Sequence, residues 1–162
     1  MKIGIFGGTF DPPHIDHQKA VDWMLPQVDE LWVVPCWHNA FKDDISDFNH
    51  RYNMCYLAFN KKKVIIDNIE ERLKTKYTVD LLRYYKKVYP EVEFYLFIGS
   101  DQIASLDKWK DVEELKSMCN IVEILREQNN ASSTYIRYDV ERAVHLLKPE
   151  VYKYIKDNNL YD

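Results

Sequence analysis

A short apolar stretch near the start of the chain ends in a pair of glycines, and it limits the fold more than any other feature. The run from Ile3 to Phe6 is typical of a buried strand, and Gly7 and Gly8 follow it. Glycine adopts backbone angles that are barred to other residues and lets main-chain N–H groups approach a ligand. Pro12 and Pro13 favour the first turn of a helix. Strand, glycine turn and helix start together predict a phosphate site, because a helix N-terminus carries partial positive charge and N–H donors.

Two histidines follow the prolines, three residues apart. If the helix begins at Pro12, His14 and His17 face the same way, one turn apart. Without the neighbouring residues, such a pair would be interpreted as two surface side chains. Asp16 either points sideways, for example toward Lys19, or faces the ligand and raises the pKa of a histidine by charge attraction. We expect the sideways orientation.

Apolar segments with the patterns of strands and helices alternate along the rest of the chain. We predict strands at 31–34, 64–66, 93–98 and 121–125, helices at 18–26, 49–60 and 112–118, and an exposed connector at 67–76. Thr78 can cap a further helix that ends before Pro90, and Ser132 and Pro149 open the last helices. The final helix carries an apolar stripe of Val151, Tyr154 and Ile155. This order predicts an α/β fold: a doubly wound, Rossmann-like parallel sheet of about five strands flanked by helices, with a C-terminal helical tail. No repeat, low-complexity segment or linker divides residues 1–162, so we expect a single domain.

Composition excludes several classes of function. A net charge of −4 argues against binding a nucleic acid polymer. No segment reaches the length of a membrane span, and we expect no signal peptide before the first strand. Three widely spaced cysteines favour free thiols in a reducing compartment, so we expect a cytoplasmic protein. The sequence leaves open whether it is a homo-oligomer.

Hydroxyl residues open the predicted helix after the last strand. Ser132, Ser133 and Thr134 supply caps and donors, and Arg137 follows one turn later, where its planar fork can hold phosphate oxygens. A serine-rich cap beside a solvated arginine is the alternative interpretation of this segment alone.

Two weaker candidates follow the strand predicted at 93–98. Gly99 admits a ligand and Asp101 can accept hydrogen bonds from sugar hydroxyls, although Asp101 as a helix N-cap is the simpler interpretation. Trp109 can stack on a flat ligand or belong to the core.

These motifs resemble a known family. GGTFDPPHIDH, which begins at Gly7, is similar to the G-G-T-F-D-P-x-H-x-G-H signature of Rossmann-like nucleotidyltransferases, and most closely of nicotinate/nicotinamide mononucleotide adenylyltransferases. Asp16 stands where that family usually has glycine. ASSTYIR is similar to its later I-S-S-T-x-I-R motif, with Ala131 in place of isoleucine. Only residues 126–130 separate the last strand from this motif, where the family commonly has a longer insert.

The resemblance implies adenylyl transfer from ATP to a pyridine mononucleotide, giving a dinucleotide and pyrophosphate, with Mg²⁺ accompanying ATP and no metal held by the protein alone. It implies that His14, His17 and Arg137 act on the phosphates. The implied ATP-binding residues are Gly7, Gly8, Thr9, Phe10, His17, Gly99, Asp101, Ser132, Ser133, Thr134 and Arg137. The implied mononucleotide-binding residues are Thr9, Phe10, Lys42, Arg51, Tyr77, Thr78 and Trp109.

Three alternatives remain from the sequence. The acceptor can be another phosphorylated molecule, such as phosphopantetheine. Asp11, His14, Asp16 and His17 can serve as ligands of a metal-dependent hydrolase. The chain can also be a nucleotide sensor without catalysis. The sequence does not choose between nicotinate and nicotinamide mononucleotide.

Overall fold

The computed structural model describes residues 1–37, 44–125 and 131–162. These residues form a five-stranded sheet in the order β3-β2-β1-β4-β5, in which every neighbouring pair is parallel. The strands are β1 (Lys2–Gly8), β2 (Glu30–Pro35), β3 (Val64–Ile66), β4 (Glu93–Gly99) and β5 (Asn120–Ile124). The α/β prediction is therefore confirmed. Because the winding reverses between β1 and β4, the carboxyl ends of these two strands border the crevice where such sheets bind ligands.

Helices lie between the strands and after the last of them. They are α1 (Ile15–Met24), α2 (Phe48–Ala58), α3 (Ile69–Leu73), α4 (Thr78–Val88), α5 (Ser100–Ile103), α6 (Val112–Met118), α7 (Ser133–Tyr138) and α8 (Pro149–Asp157). Short 3₁₀ turns occupy Leu25–Gln27, Leu106–Lys108 and Val144–Leu146. In the part of the chain described, no helix is long and apolar enough to cross a bilayer.

The sheet buries side chains on both faces, which gives the domain two core layers. Ile3 and Ile5 pack on one face with α4 and α6, whereas Phe6 packs on the other with α1, α2 and α8. This two-residue alternation follows from the pleat of the strand. It explains why the strands are nearly continuous apolar runs, as parallel strands covered on both faces must be.

Two helix starts and one connector differ from the prediction. α1 begins at Ile15, so the two prolines precede the helix and do not form its first turn. Thr78 is the first residue of α4, and Tyr77 occupies the N-cap position without a side-chain bond. Residues 67–76 contain α3, whose Ile69 is fully buried, so this segment is more than an exposed connector. The predicted apolar stripe of the last helix is confirmed, since Val151 and Ile155 are buried.

Candidate active site

The carboxyl edge of the sheet carries the residues that the sequence singled out. β1 ends at Gly8, β2 ends at Pro35 and β4 ends at Gly99. The turn at residues 9–14 follows β1, the central strand of the sheet. Most of the candidate side chains lie on this turn or on segments that contact it.

The two histidines form the N-terminal cap of α1. His14 is the N-cap residue, and its Nδ1 accepts a hydrogen bond from the Asp16 amide at 3.2 Å. The bond is reciprocated: Nδ1 of His17 accepts a hydrogen bond from the His14 amide at 3.0 Å. Two N–H groups that would lack partners at a helix end are thereby satisfied. The imidazoles stack with ring centroids 3.8 Å apart, as expected for residues that face the same way.

The cap determines the tautomer of both rings. A ring nitrogen that accepts an amide hydrogen bond carries no proton, so we assign the proton of each neutral imidazole to Nε2. Each ring therefore presents Nε2 as a hydrogen-bond donor. A histidine kept doubly protonated by Asp16, the pocket-facing alternative for that residue, is incompatible with this cap.

The turn after β1 owes its shape to Phe10 and not to the glycines. No described glycine has a positive φ, whereas Phe10 has a φ of 53°. The prediction that the glycine pair supplies unusual backbone angles is therefore wrong. Gly8 is needed for space, because a Cβ there would lie 3.0 Å from the Phe10 ring. That ring is buried and packs edge-on against His17.

The late motif contacts this same turn. Arg137 donates from Nη1 to the Asp11 carbonyl at 2.8 Å and from Nη2 to Thr134 Oγ1 at 3.4 Å. Ser133 donates its hydroxyl to the Pro12 carbonyl at 2.8 Å. Ser132 caps α7 by accepting the Tyr135 amide at 3.0 Å. The two motifs, far apart in sequence, thus form one site beside His14.

The Asp11 side chain is buried, with 1% of its surface exposed. Its Oδ2 accepts the Ser46 amide at 2.9 Å, and its Oδ1 accepts the hydroxyl of Tyr161. The motif prediction missed both partners. Ser46 lies in an unpatterned loop and Tyr161 lies in the tail after α8, so no local pattern points to either.

Arg51 lies near the site but faces inward. The residue is 1% exposed. Its guanidinium donates to the carbonyls of Ser46 at 2.8 Å, Thr9 at 3.1 Å and Cys36 at 2.8 Å. Arg51 thus holds together the ends of β1 and β2 and the loop before α2. Contact of Arg51 with a mononucleotide stays a prediction, and this geometry favours an indirect role.

The residues after β4 are more exposed. Gly99, not Asp101, is the N-cap residue of α5, and Asp101 lies exposed in its first turn. Trp109 is half-buried against the core layer of α4 and α6. Tyr77 is about half exposed, and Lys110 Nζ lies 4.6 Å from the centroid of its ring. Ligand contacts for these side chains stay predictions.

Two features fall outside the described residues. Lys42 lies in the segment 38–43, and the short connection before the late motif is the segment 126–130. The prediction that Lys42 binds the mononucleotide therefore stays a prediction.

Asp16 has an unusual environment. Its Oδ1 is buried without a hydrogen-bond partner, and no ion pair with Lys19 occurs among the described residues. Within the same ranges, no group of three or more His, Cys, Asp or Glu side chains is placed to hold a metal ion.

Burial controls the ionisable groups beneath the edge of the sheet. Burial raises the pKa of the Cys36 thiol, although the nearby Arg51 charge opposes the shift. A thiol of raised pKa is a poor nucleophile at neutral pH. Burial also raises the pKa of Glu70 to about 7, and this side chain accepts the Trp37 amide at the end of β2.

Comparisons with known proteins agree with this geometry. Residues 5–139 match the model of the cytidylyltransferase-like family. The nicotinate-nucleotide adenylyltransferase of Bacillus subtilis is 32% identical over 99% of this chain and 98% of its own length. A probable nicotinate-nucleotide adenylyltransferase of Bacillus licheniformis is 33% identical over the same shares of the two chains. The structure of the Plasmodium falciparum nicotinic acid mononucleotide adenylyltransferase complexed with NaAD superposes with a TM-score of 0.83, at 26% identity over 99% of this chain and 97% of that one.

Proposed function

Because the chain belongs to the cytidylyltransferase-like family, and within it to the nicotinate-nucleotide adenylyltransferases, we propose that it transfers the adenylyl group of ATP to nicotinate mononucleotide in NAD biosynthesis. The products are deamido-NAD and pyrophosphate. The observation that carries the proposal is the meeting of the two motifs, in which Arg137 and Ser133 bind the carbonyls of the turn that leads to His14.

The reaction joins two phosphates. An oxygen of the mononucleotide 5′-phosphate attacks the α-phosphorus of ATP, and the bond from that phosphorus to the bridging β-phosphate oxygen breaks. The electron pair leaves with pyrophosphate. Such a transfer needs positioning and charge stabilisation more than covalent help from the protein.

The histidines suit the α-phosphate. Their Nε2–H groups are donors with a fixed tautomer, and the cap holds both rings in place. Because these donors are already in place, little reorganisation of the protein is needed when negative charge develops on the phosphate oxygens. We assign to His14 and His17 the stabilisation of the α-phosphate in the transition state.

Arg137 suits the leaving pyrophosphate. Two of its N–H groups bind Asp11 and Thr134, and a guanidinium has five, so its fork can also hold phosphate oxygens. Ser132 and Thr134 are exposed beside it and add hydroxyl donors. Arg137 supplies a permanent positive charge to this part of the site.

Mg²⁺ bound with ATP would neutralise phosphate charge. This ion usually keeps several waters and binds substrate phosphates together with one or two carboxylates. The unpartnered Asp16 oxygen, a hard ligand at the start of α1, is the described group that fits such an ion. Gly99, Asp101, Tyr77, Thr78 and Trp109 are assigned to the sugar and base portions of the two nucleotides.

A hydrolase that uses Asp11, His14, Asp16 and His17 as metal ligands is disfavoured by their contacts. Both Asp11 oxygens accept hydrogen bonds, and the Nδ1 atoms of both histidines accept amides. The four side chains form no metal-binding group within the described residues.

The test is pyrophosphate release from ATP and Mg²⁺ with different acceptors. Nicotinate mononucleotide, nicotinamide mononucleotide and phosphopantetheine are compared at equal concentration. We expect the highest kcat/KM with nicotinate mononucleotide. Faster pyrophosphate release with phosphopantetheine would overturn the assignment of nicotinate mononucleotide as the acceptor. No release with any acceptor would overturn the proposed adenylyl transfer.

A further inference from the structure

The turn that precedes α1 is held by side chains from distant parts of the chain. Arg51 donates to the carbonyl of Thr9, Arg137 to that of Asp11, and Ser133 to that of Pro12. In the opposite direction, the Asp11 carboxylate of this turn binds two other segments, one through each of its oxygens.

Asp11 is buried, yet its partners are uncharged donors. Among the ion pairs of the described ranges, none includes Asp11. Its oxygens accept the Ser46 amide and the Tyr161 hydroxyl. A buried carboxylate is costly unless each oxygen finds a donor, so the loss of either partner should reorient it.

Tyr161 is well placed to fix this carboxylate. It follows α8 with a left-handed backbone, at a φ of 65°, and it packs with Leu160 against the core layer that includes Phe10. The Leu160 amide binds the Ile155 carbonyl at 3.0 Å, which anchors the segment to α8. Burial, and next the Asp11 charge, raise the pKa of the Tyr161 hydroxyl, so it remains a donor throughout the physiological pH range.

We propose that Tyr161 is a positioning residue for adenylyl transfer: its hydroxyl fixes the Asp11 carboxylate and thereby the turn that places His14 and the carbonyl partner of Arg137. This proposal rests on the proposed function, since it concerns the same phosphate site. As a positioning residue, Tyr161 acts on the reaction through Asp11 and not through a nucleotide.

The chain offers a matched control. Tyr152, on α8, also donates its hydroxyl to a carboxylate, that of Glu141 at 2.7 Å. This pair is exposed, and Glu141 does not belong to the turn before α1. Tyr161→Phe and Tyr152→Phe each delete one hydroxyl that binds a carboxylate. They differ in whether that carboxylate belongs to the turn before α1.

The experiment compares both variants with the wild-type chain in kcat, in the KM for ATP and in the ¹H–¹⁵N spectrum of the imidazoles. A displacement of about 1 Å in catalytic groups can cost on the order of 10² in rate. For Tyr161→Phe we therefore expect kcat to fall about tenfold or more, the KM for ATP to change less than about threefold, and the His14 and His17 ring signals to shift. Tyr152→Phe should leave all three unchanged.

Several results would overturn the proposal. An unchanged kcat in Tyr161→Phe would do so, as would a rise in KM with unshifted imidazole signals, which would indicate direct contact with substrate. A Tyr161→Phe chain that no longer folds would show that the hydroxyl serves stability and not the turn. If the wild-type chain shows no turnover, the proposed function fails, but the imidazole signals still test whether Tyr161 controls the histidines.

Discussion

Arg137 donates a hydrogen bond to the main-chain carbonyl of Asp11 at 2.8 Å, which joins two residues that lie 126 positions apart. The bond places a permanent positive charge beside the turn that leads to the capped histidines. It also uses one edge of the guanidinium, so that the orientation of the remaining fork is set by the motif turn.

Arg137→Lys should weaken ATP binding much more than mononucleotide binding. Lysine keeps the charge but lacks the planar fork, so it cannot bind the Asp11 carbonyl and phosphate oxygens together. We expect the dissociation constant for ATP to rise about tenfold or more, as measured by calorimetry. Arg142→Lys, at an exposed position of the same region, is the control. Equal weakening of both substrates would indicate a role in folding.

His14→Asn separates the cap of α1 from the proposed chemistry. Asparagine is a good N-cap residue, so the helix should remain. It lacks the Nε2–H donor, and loss of one fixed donor to the transition state typically costs about 10² in kcat. Steady-state rates should show that loss, while circular dichroism stays unchanged. A kcat within about threefold of the wild-type value would remove His14 from the mechanism.

Asp16→Ala should stabilise the chain in the absence of nucleotide. A buried carboxylate oxygen without a partner costs about 1–3 kcal/mol, whereas the favourable charge at the helix start contributes about 0.3–1 kcal/mol. We expect a gain of about 1 kcal/mol in the free energy of unfolding, measured in urea. Asp22→Ala, on the same helix but exposed and paired with Lys61, should give no gain. A clear loss for Asp16→Ala would indicate that this carboxylate binds a cation.

Glu70→Gln should change how stability depends on pH. Burial raises the pKa of Glu70 to about 7 in the folded chain, from 4.5 as its ordinary value. Its contribution to stability is therefore fully present below pH 4.5 and is lost as the pH rises through about 7. Glutamine stays neutral at every pH. The free energy of unfolding of the variant, relative to that of the wild-type chain, should therefore rise by on the order of 2 kcal/mol between pH 5 and 8.

Urea unfolding across this pH range measures the effect, with Glu91→Gln as an exposed control. Parallel pH profiles for the wild-type chain and Glu70→Gln would show that the folded state does not hold this proton.

The strands were predictable to within one or two residues at each end because parallel strands buried on both faces are apolar runs bounded by glycine, proline and charged residues. β3 and α6 match the predicted bounds. α3 escaped prediction because it has only five residues, of which Ile69 is the buried one. A helix that short carries too little periodicity to be detected.

The parts of the site that lie in local sequence motifs were predictable. The parts that depend on contacts between distant segments of the chain were not. The motif residues at positions 7–17 and 132–137 do converge, but the inward orientation of Arg51 runs against the usual exposure of charged side chains. The bond from Tyr161 to Asp11 spans 150 positions and leaves no trace in local sequence.

The most direct test of the proposed adenylyl transfer follows the α-phosphorus of ATP. ATP labelled at that atom is incubated with the chain, Mg²⁺ and nicotinate mononucleotide, and the products are separated. We predict that the label enters deamido-NAD, with one pyrophosphate released per dinucleotide and no label released as AMP when the mononucleotide is omitted. Label that appears in AMP without the mononucleotide, or that remains in ATP in its presence, would contradict the account.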